Sequence, residues 1–304
     1  MAESADREGT AAAGHRVRRP MTDAFFHLLW LVFRVLLLAW LGLVIVVYIR
    51  QSRMLFFPSP VIGMLPSEAG LQFEDVFFTA SDGVRLNGWF VPAPGAGVTI
   101  LMCHGNGGNI SDRVWALKQL HDAGFNAFIF DYRGYGRSTG RPAEAGLYLD
   151  ARAAWDYLVF ERGLPESSIV IHGRSLGGAT ACELAAGVRA GALVLEATFT
   201  SLPDLAAGLY PYLPVRILCR VRFNTLRRVS QARAPILVAH SREDEIIPFP
   251  HGERIYQAAN EPKSFFVLRG DHNSGEAMDD KAWMACLRGF IAQHVRQAEN
   301  GAGK

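Results

Sequence analysis

The run Gly173-Arg174-Ser175-Leu176-Gly177 constrains this chain more than any other feature. Ile169-Val170-Ile171, just before it, is a short β-branched run that reads as a buried strand, and Leu176 to Arg189 reads as a helix rich in Ala and Leu. A serine between strand and helix, with glycines two residues to either side, sits on a sharp elbow. The glycines relieve crowding there, and the hydroxyl projects above the carboxyl end of a sheet, within reach of a histidine and a substrate. A bare G-x-S-x-G arises by chance; the strand before it and the helix after it make Ser175 a candidate nucleophile rather than an ordinary helix-start serine.

A serine hydroxyl is a poor nucleophile until a base takes its proton, and a histidine base needs a carboxylate to hold its tautomer. The chain must therefore supply an acid and a histidine. Strand-like runs recur at Ala192–Leu195, Ile236–Ala239 and Ser264–Leu268. The second is followed by the polar loop His240-Ser241-Arg242-Glu243-Asp244-Glu245, the third by Arg269-Gly270-Asp271-His272-Asn273. Asp244 and His272 are the candidate partners. Glu196, ending the first of these strands, is the main alternative acid; Glu243 and Glu245 neighbour Asp244, and Asp271 reads as an exposed loop residue. His172 inside the elbow strand, His121 and His294 in helical patterns, His240 at a strand end and His251 near a helix start read as packing, capping or surface groups.

Val98 to Cys103 is a further strand, and it runs into His104-Gly105-Asn106-Gly107-Gly108-Asn109. Such a glycine-rich loop lets main-chain N–H groups turn inward, as stabilising a tetrahedral oxyanion requires. The backbone N–H groups of Asn106 and Leu176 are the candidate donors, and Gly107 a candidate pocket residue; a flexible strand-to-helix connection is the plain alternative. His104 is expected to order the loop by hydrogen bonding. These glycines fail as a dinucleotide fingerprint, because Ile110 stands where the third glycine is required. A second glycine-rich loop, Asp131 to Ser138, follows the strand Ala127–Phe130 at the same sheet edge, so Tyr132 is expected to line the pocket. The alternative is structural: a buried Asp131 satisfying loop N–H groups and pairing with Arg133.

His104 to Asn109, Asp131 to Gly136, Gly173 to Gly178 and His240 to Pro248 together resemble the Bem46-like branch of the α/β-hydrolase superfamily. The likeness spans Gln51 to about His294 and includes the entry segment Arg53 to Pro58, which in similar proteins joins a membrane helix to the first strand. The resemblance implies an α/β-hydrolase fold: a mostly parallel, eight-stranded type of sheet with helices on both faces and a small cap. It also implies a serine hydrolase acting on esters or thioesters, including lysophospholipids and acylated proteins, without cofactor or metal. Ser, then Asp, then His is the order of that fold. Protein depalmitoylases carry an N-terminal cysteine cluster, whereas no cysteine here precedes Cys103.

Ala24 to Ile49 is long enough to cross a hydrocarbon core, interrupted only by His27 and Arg34. Arg16, Arg18 and Arg19 precede it and no small-x-small site follows before Arg50, which predicts a retained signal anchor; an amphipathic surface helix is the alternative. The arginines before the span favour a cytoplasmic N-terminus, against Arg50 and Arg53 beyond it. Lysine is confined to Lys118, Lys263, Lys281 and Lys304, an arginine bias that points to a GC-rich bacterium. With the apolar span and the arginines before it, the expectation is an inner-membrane protein whose catalytic domain lies on the non-cytoplasmic side.

The 304 residues, 50% of them apolar, suffice for one catalytic core, and a formal charge of +2 gives no reason to expect nucleic acid. The four cysteines lack paired metal spacing. The expected organisation is a disordered tail over 1–23, an anchor over 24–50, a linker over 51–70, the catalytic domain over 71–297 with a cap at 202–233, and a tail over 298–304. The cap's apolar residues Leu205, Leu209, Tyr212, Leu213, Leu218 and Phe223 would line an acyl pocket; plain amphipathic packing is the alternative. A lipid-like acyl ester or thioester is thus the expected substrate. A non-catalytic membrane scaffold and a peptidase-type serine hydrolase are the competing readings.

Overall fold

The computed structural model describes residues 20–273 and 280–296; the expected tails fall outside these apart from 20–23. The chain divides into two units, Met1–Ile49 and Arg50–Lys304. Helix α1, Pro20–Leu55, begins in the first and ends in the second. Within Asp23–Leu55 an 18-residue stretch has a mean hydropathy of 2.6, and none of it is buried. A helix apolar on every side has no face for water, and 33 residues at about 1.5 Å each exceed a hydrocarbon core of about 30 Å.

The second unit opens with strand β1 (Phe57–Pro58) and then the antiparallel pair β2 (Glu74–Thr79) and β3 (Arg85–Val91), turned through Gly83 at φ 86°. Beyond it strand and helix alternate: β4 (Thr99–Cys103), β5 (Gly107–Gly108), α2 (Val114–Asp122), β6 (Asn126–Phe130), α3 (Glu144–Asp156), β7 (Ile169–Arg174), α4 (Leu176–Ala185) and β8 (Ala192–Glu196). Three short helices follow, α5 (Leu202–Leu209), α6 (Val215–Leu218) and α7 (Thr225–Val229), then β9 (Ile236–Ser241), α8 (Pro250–Ala258), β10 (Lys263–Leu268) and α9 (Asp280–His294). The main sheet has eight strands in the order β10-β9-β8-β7-β4-β6-β3-β2. It is parallel from β10 to β6 and antiparallel where β3 meets β6 and β2.

Central strands β4, β7 and β8 are almost wholly buried, as expected of parallel strands covered on both faces. Side chains alternate between two cores. Leu101, Ile171, Leu193 and Leu195 meet Leu147 and Trp155 of α3 and Ala179 and Cys182 of α4. Ile100, Met102, Val170 and Val194 meet Leu117 of α2 and Trp283 and Leu287 of α9. In the cap, Leu205 and Phe223 are buried, whereas Leu209 and Tyr212 are exposed.

Residues 51–70, expected as a linker, fold onto the domain. Gln51 to Leu55 complete α1, β1 pairs with β5, and Pro66–Ala69 form a 3-10 turn closed by Gly70 at φ 77°. Helix α4 stops at Ala185, four residues short of the expected end, because the N–H of Gly187 turns back to Leu184.

Candidate active site

Ser175 sits between β7 and α4 with φ 54° and ψ −122°, a conformation non-glycine residues rarely adopt. Its N–H donates to the Glu196 carbonyl at 2.9 Å, and its own carbonyl accepts from Thr198 Oγ1 at 2.7 Å. The flanking glycines are there for space. A Cβ on Gly177 would lie 1.9 Å from the Cys103 carbonyl oxygen, and one on Gly173 would lie 2.4 Å from that of Gly177. The tight crossing of α4 over β4 thus forces the backbone at Ser175 into its bend.

His272 Nε2 lies 3.1 Å from Ser175 Oγ, and His272 Nδ1 lies 2.8 Å from Asp244 Oδ2. Asp244 follows β9 in a short turn where its Oδ1 accepts the N–H groups of Ile246 at 3.0 Å and Ile247 at 2.7 Å. One carboxylate oxygen is thereby fixed by backbone while the other faces the imidazole. Burial would raise the Asp244 pKa, but the bonds from His272 and Ile247 outweigh it and hold the group below the usual aspartate range. His240 also approaches: its Nε2 donates to the Ile247 carbonyl at 2.7 Å and stands 3.5 Å from Asp244 Oδ2.

The loop carrying His272 is held by carboxylates. Glu245 accepts the His272 N–H at 3.0 Å, Glu243 accepts that of Gly270 at 3.0 Å, and Ser241 donates to the Gly270 carbonyl at 2.5 Å. Arg174, next to the serine, donates to the His272 carbonyl at 2.5 Å and to Glu196 at 3.1 Å. Glu196 also takes His172 Nε2 at 3.1 Å. The alternative acid thus bonds His172 and Arg174, and Arg174 in turn bonds the His272 carbonyl. Nothing in the sequence pattern flagged Arg174, which occupies the variable position of its motif.

Leu176 opens α4, so its N–H has no intrahelical acceptor. Asn106 follows β4 on the facing loop, where Gly105 comes so close to Ser175 that an added Cβ would stand 3.6 Å from the serine Cβ. His104 Nδ1 bonds the Gly105 carbonyl at 2.7 Å, which orders the loop. A cavity of about 530 Å³ opens above Ser175, lined by Gly105, Asn106, Gly107, Leu176 and His272 together with apolar Leu55, Phe57, Phe199, Leu202 and Leu205.

Three expectations are corrected. Of the cap residues expected in the acyl pocket, Leu205 lines the cavity whereas Leu209, Tyr212, Leu213, Leu218 and Phe223 do not. Tyr132 does not line this cavity: it is fully buried, its hydroxyl donates to the His104 carbonyl at 3.1 Å, and its ring lies tilted against the His104 ring with centroids 4.5 Å apart. The loop lies at the expected sheet edge, but Tyr132 points down into the core. Arg133 does not pair with Asp131 either; it bonds Asp150 at 2.7 Å and Asp82 at 2.7 Å. Asp131 accepts the Ile110 N–H at 3.0 Å. It faces His104 Nε2 at 3.7 Å, and burial pushes Asp131 up to about 7 and His104 down to about 3. Near pH 5 both are therefore neutral, and the contact is not an ion pair.

All four cysteines are free, with Cys103 and Cys182 buried in the core. Burial pushes the Cys103 thiol up to about 12, so it stays protonated. Among the described residues no group of three or more His, Cys, Asp or Glu is placed to hold a metal.

This sheet, elbow and loop arrangement defines a class, and the chain belongs to the α/β-hydrolase family: residues 98–214 match the family model described as alpha/beta hydrolase fold. An uncharacterized protein of Mycobacterium tuberculosis is 37% identical over 83% of this chain and 91% of its own length. The alpha/beta hydrolase domain-containing protein WAV2 of Arabidopsis thaliana is 32% identical over 77% of this chain and 83% of its own. Among solved structures, the esterase Pf2001 of Pyrococcus furiosus shares the fold with a TM-score of 0.66 at 20% identity, covering 79% of this chain and all of that one.

Proposed function

We propose that this protein is a membrane-anchored serine hydrolase of the Bem46-like branch that cleaves carboxylic esters or thioesters of lipid-like acyl groups. The observation that carries the reading is the unbroken hydrogen-bond chain from Ser175 Oγ through His272 to Asp244. In it Asp244 accepts a hydrogen bond from Nδ1–H, which fixes the tautomer and leaves the Nε2 lone pair facing the serine hydroxyl. His272 takes the Ser175 proton as Oγ attacks the acyl carbonyl, and the backbone N–H groups of Asn106 and Leu176 receive the developing oxyanion. Collapse expels the alcohol or thiol, protonated by His272, and water then cleaves the acyl-enzyme by the same steps.

The apolar wall of Leu55, Phe57, Phe199, Leu202 and Leu205 suits a hydrocarbon chain better than a polar acyl group. Helix α1 supports a single-pass anchor, with the catalytic domain on the non-cytoplasmic side of an inner membrane in keeping with the arginines before the span. The test is turnover of butyryl and longer-chain p-nitrophenyl esters and acyl-thioesters by wild type and Ser175→Ala. Wild type is expected to hydrolyse them, and the variant to lose several orders of magnitude. Equal turnover by the two proteins would remove Ser175 from the mechanism.

A further inference from the structure

The chain that leaves α1 is built into the loop bearing Asn106. A helix leaves its last carbonyls without intrahelical donors; here the carbonyl of Leu55 accepts the side-chain amide of Asn106. Two residues on, Phe57 pairs with Gly107 and Pro58 with Gly108, and the Ser59 N–H donates to the Gly108 carbonyl at 3.1 Å. Asn109 Nδ2 then donates to the carbonyls of Ser59 at 3.0 Å and Val61 at 2.7 Å. From the other side the Tyr135 hydroxyl donates to the Asn106 carbonyl at 2.8 Å and to its Oδ1 at 3.1 Å.

A pairing two residues long adds little to stability on its own. What it does is hold a loop whose glycines have no stiffness, Gly108 lying at φ 75°. We propose that Leu55–Ser59 is a positioning element of the catalytic site: the end of α1 sets where the Asn106 N–H points, and so sets turnover as well as attaching the chain to its helix. The proposal rests on the reading of Asn106 as an oxyanion donor. A donor preorganised for the oxyanion loses most of its effect when displaced by about 1 Å.

The test uses the full-length protein in detergent, with rates expressed per site titrated by a fluorophosphonate. Asn106→Ala removes the amide that reaches Leu55 but keeps the Asn106 N–H. Ser59→Pro removes the donor to Gly108, and Ser59 already precedes Pro60, which holds it in the extended range proline also adopts. In each variant kcat per titrated site is expected to fall about tenfold to a hundredfold while KM moves less than about threefold. Affinity for a trifluoromethyl ketone, whose adduct places an oxyanion in the hole, should fall by the same factor as kcat/KM. Because both substitutions act on one element, the double variant should lose less than the product of the two. Tyr135→Phe, which releases the same Asn106, replaces Asn106→Ala if that variant does not fold. Folded variants with kcat per site within about twofold of wild type overturn the proposal, since a purely structural role would lower unfolding temperature and yield of titratable sites alone. Wild type that neither labels nor turns over overturns the serine-hydrolase reading, and this proposal with it.

Discussion

Asp244 divides its oxygens between two tasks, Oδ1 to the Ile246 and Ile247 N–H groups and Oδ2 to His272. Asp244→Asn keeps the first contact and spoils the imidazole tautomer, so turnover should fall about 10⁴-fold with little change in folding, measured by steady-state kinetics beside a urea melt. Glu196→Gln should cost turnover less than about tenfold, because its link to His272 runs through Arg174, while costing stability about 1–3 kcal/mol through the contacts of the buried Glu196 carboxylate with Arg174 and His172. Equal kinetic losses would transfer the acid to Glu196. Asp131 gives a pH signature. Its folded pKa of about 7 lies above the unfolded value near 4, so the native state holds the extra proton and stability falls as pH rises between the two. Asp131→Asn keeps the oxygen that accepts from Ile110 and should flatten that slope, gaining at least about 1 kcal/mol relative to wild type on moving from pH 5 to pH 8. An unchanged slope would contradict the buried-acid account. At this scale the juxtaposition of Ser175, His272 and Asp244 was legible because a serine nucleophile calls for a base and an acid, and the polar loops after two strands offered one of each. Tyr132 was misplaced because a sheet-edge position locates a loop without saying which way each side chain turns.

Helix α4 crosses β4 so closely that Gly177 has no room for a methyl group. Gly177→Ala must push the two elements apart, and a stability loss of about 1–3 kcal/mol, read from urea melts, is expected, with turnover falling as the elbow opens. Helix α5 supplies Leu202 and Leu205 to the cavity wall. Leu205→Trp should shorten the acyl site, lowering kcat/KM for a decanoyl ester about tenfold while leaving an acetyl ester within about threefold. A uniform loss across chain lengths would separate the cap from acyl recognition. The elements themselves were readable where burial on both faces makes a strand continuously apolar, as in β4, β7 and β8. Strand β1 was not: two residues carry no periodicity, and its pairing with β5 depends on a fold assembled from distant chain.

At the scale of the molecule, the apolar length of α1 and the α/β character of the unit after it were both evident from hydropathy and from strand–helix alternation. The role of residues 51–70 was not, since a segment without strand or helix periodicity reads as a connection until its partners are placed. Full-length protein should stay with membranes through carbonate and high salt, because burial of so apolar a helix far outweighs surface electrostatics; release by carbonate would contradict an anchor. The proposed activation of Ser175 by His272 and Asp244 is tested by mass spectrometry of the full-length protein after reaction with a fluorophosphonate. One adduct per chain is expected, on the peptide containing Ser175, absent from Ser175→Ala and formed far more slowly in His272→Ala. An adduct on another residue, or labelling that survives Ser175→Ala, would contradict it.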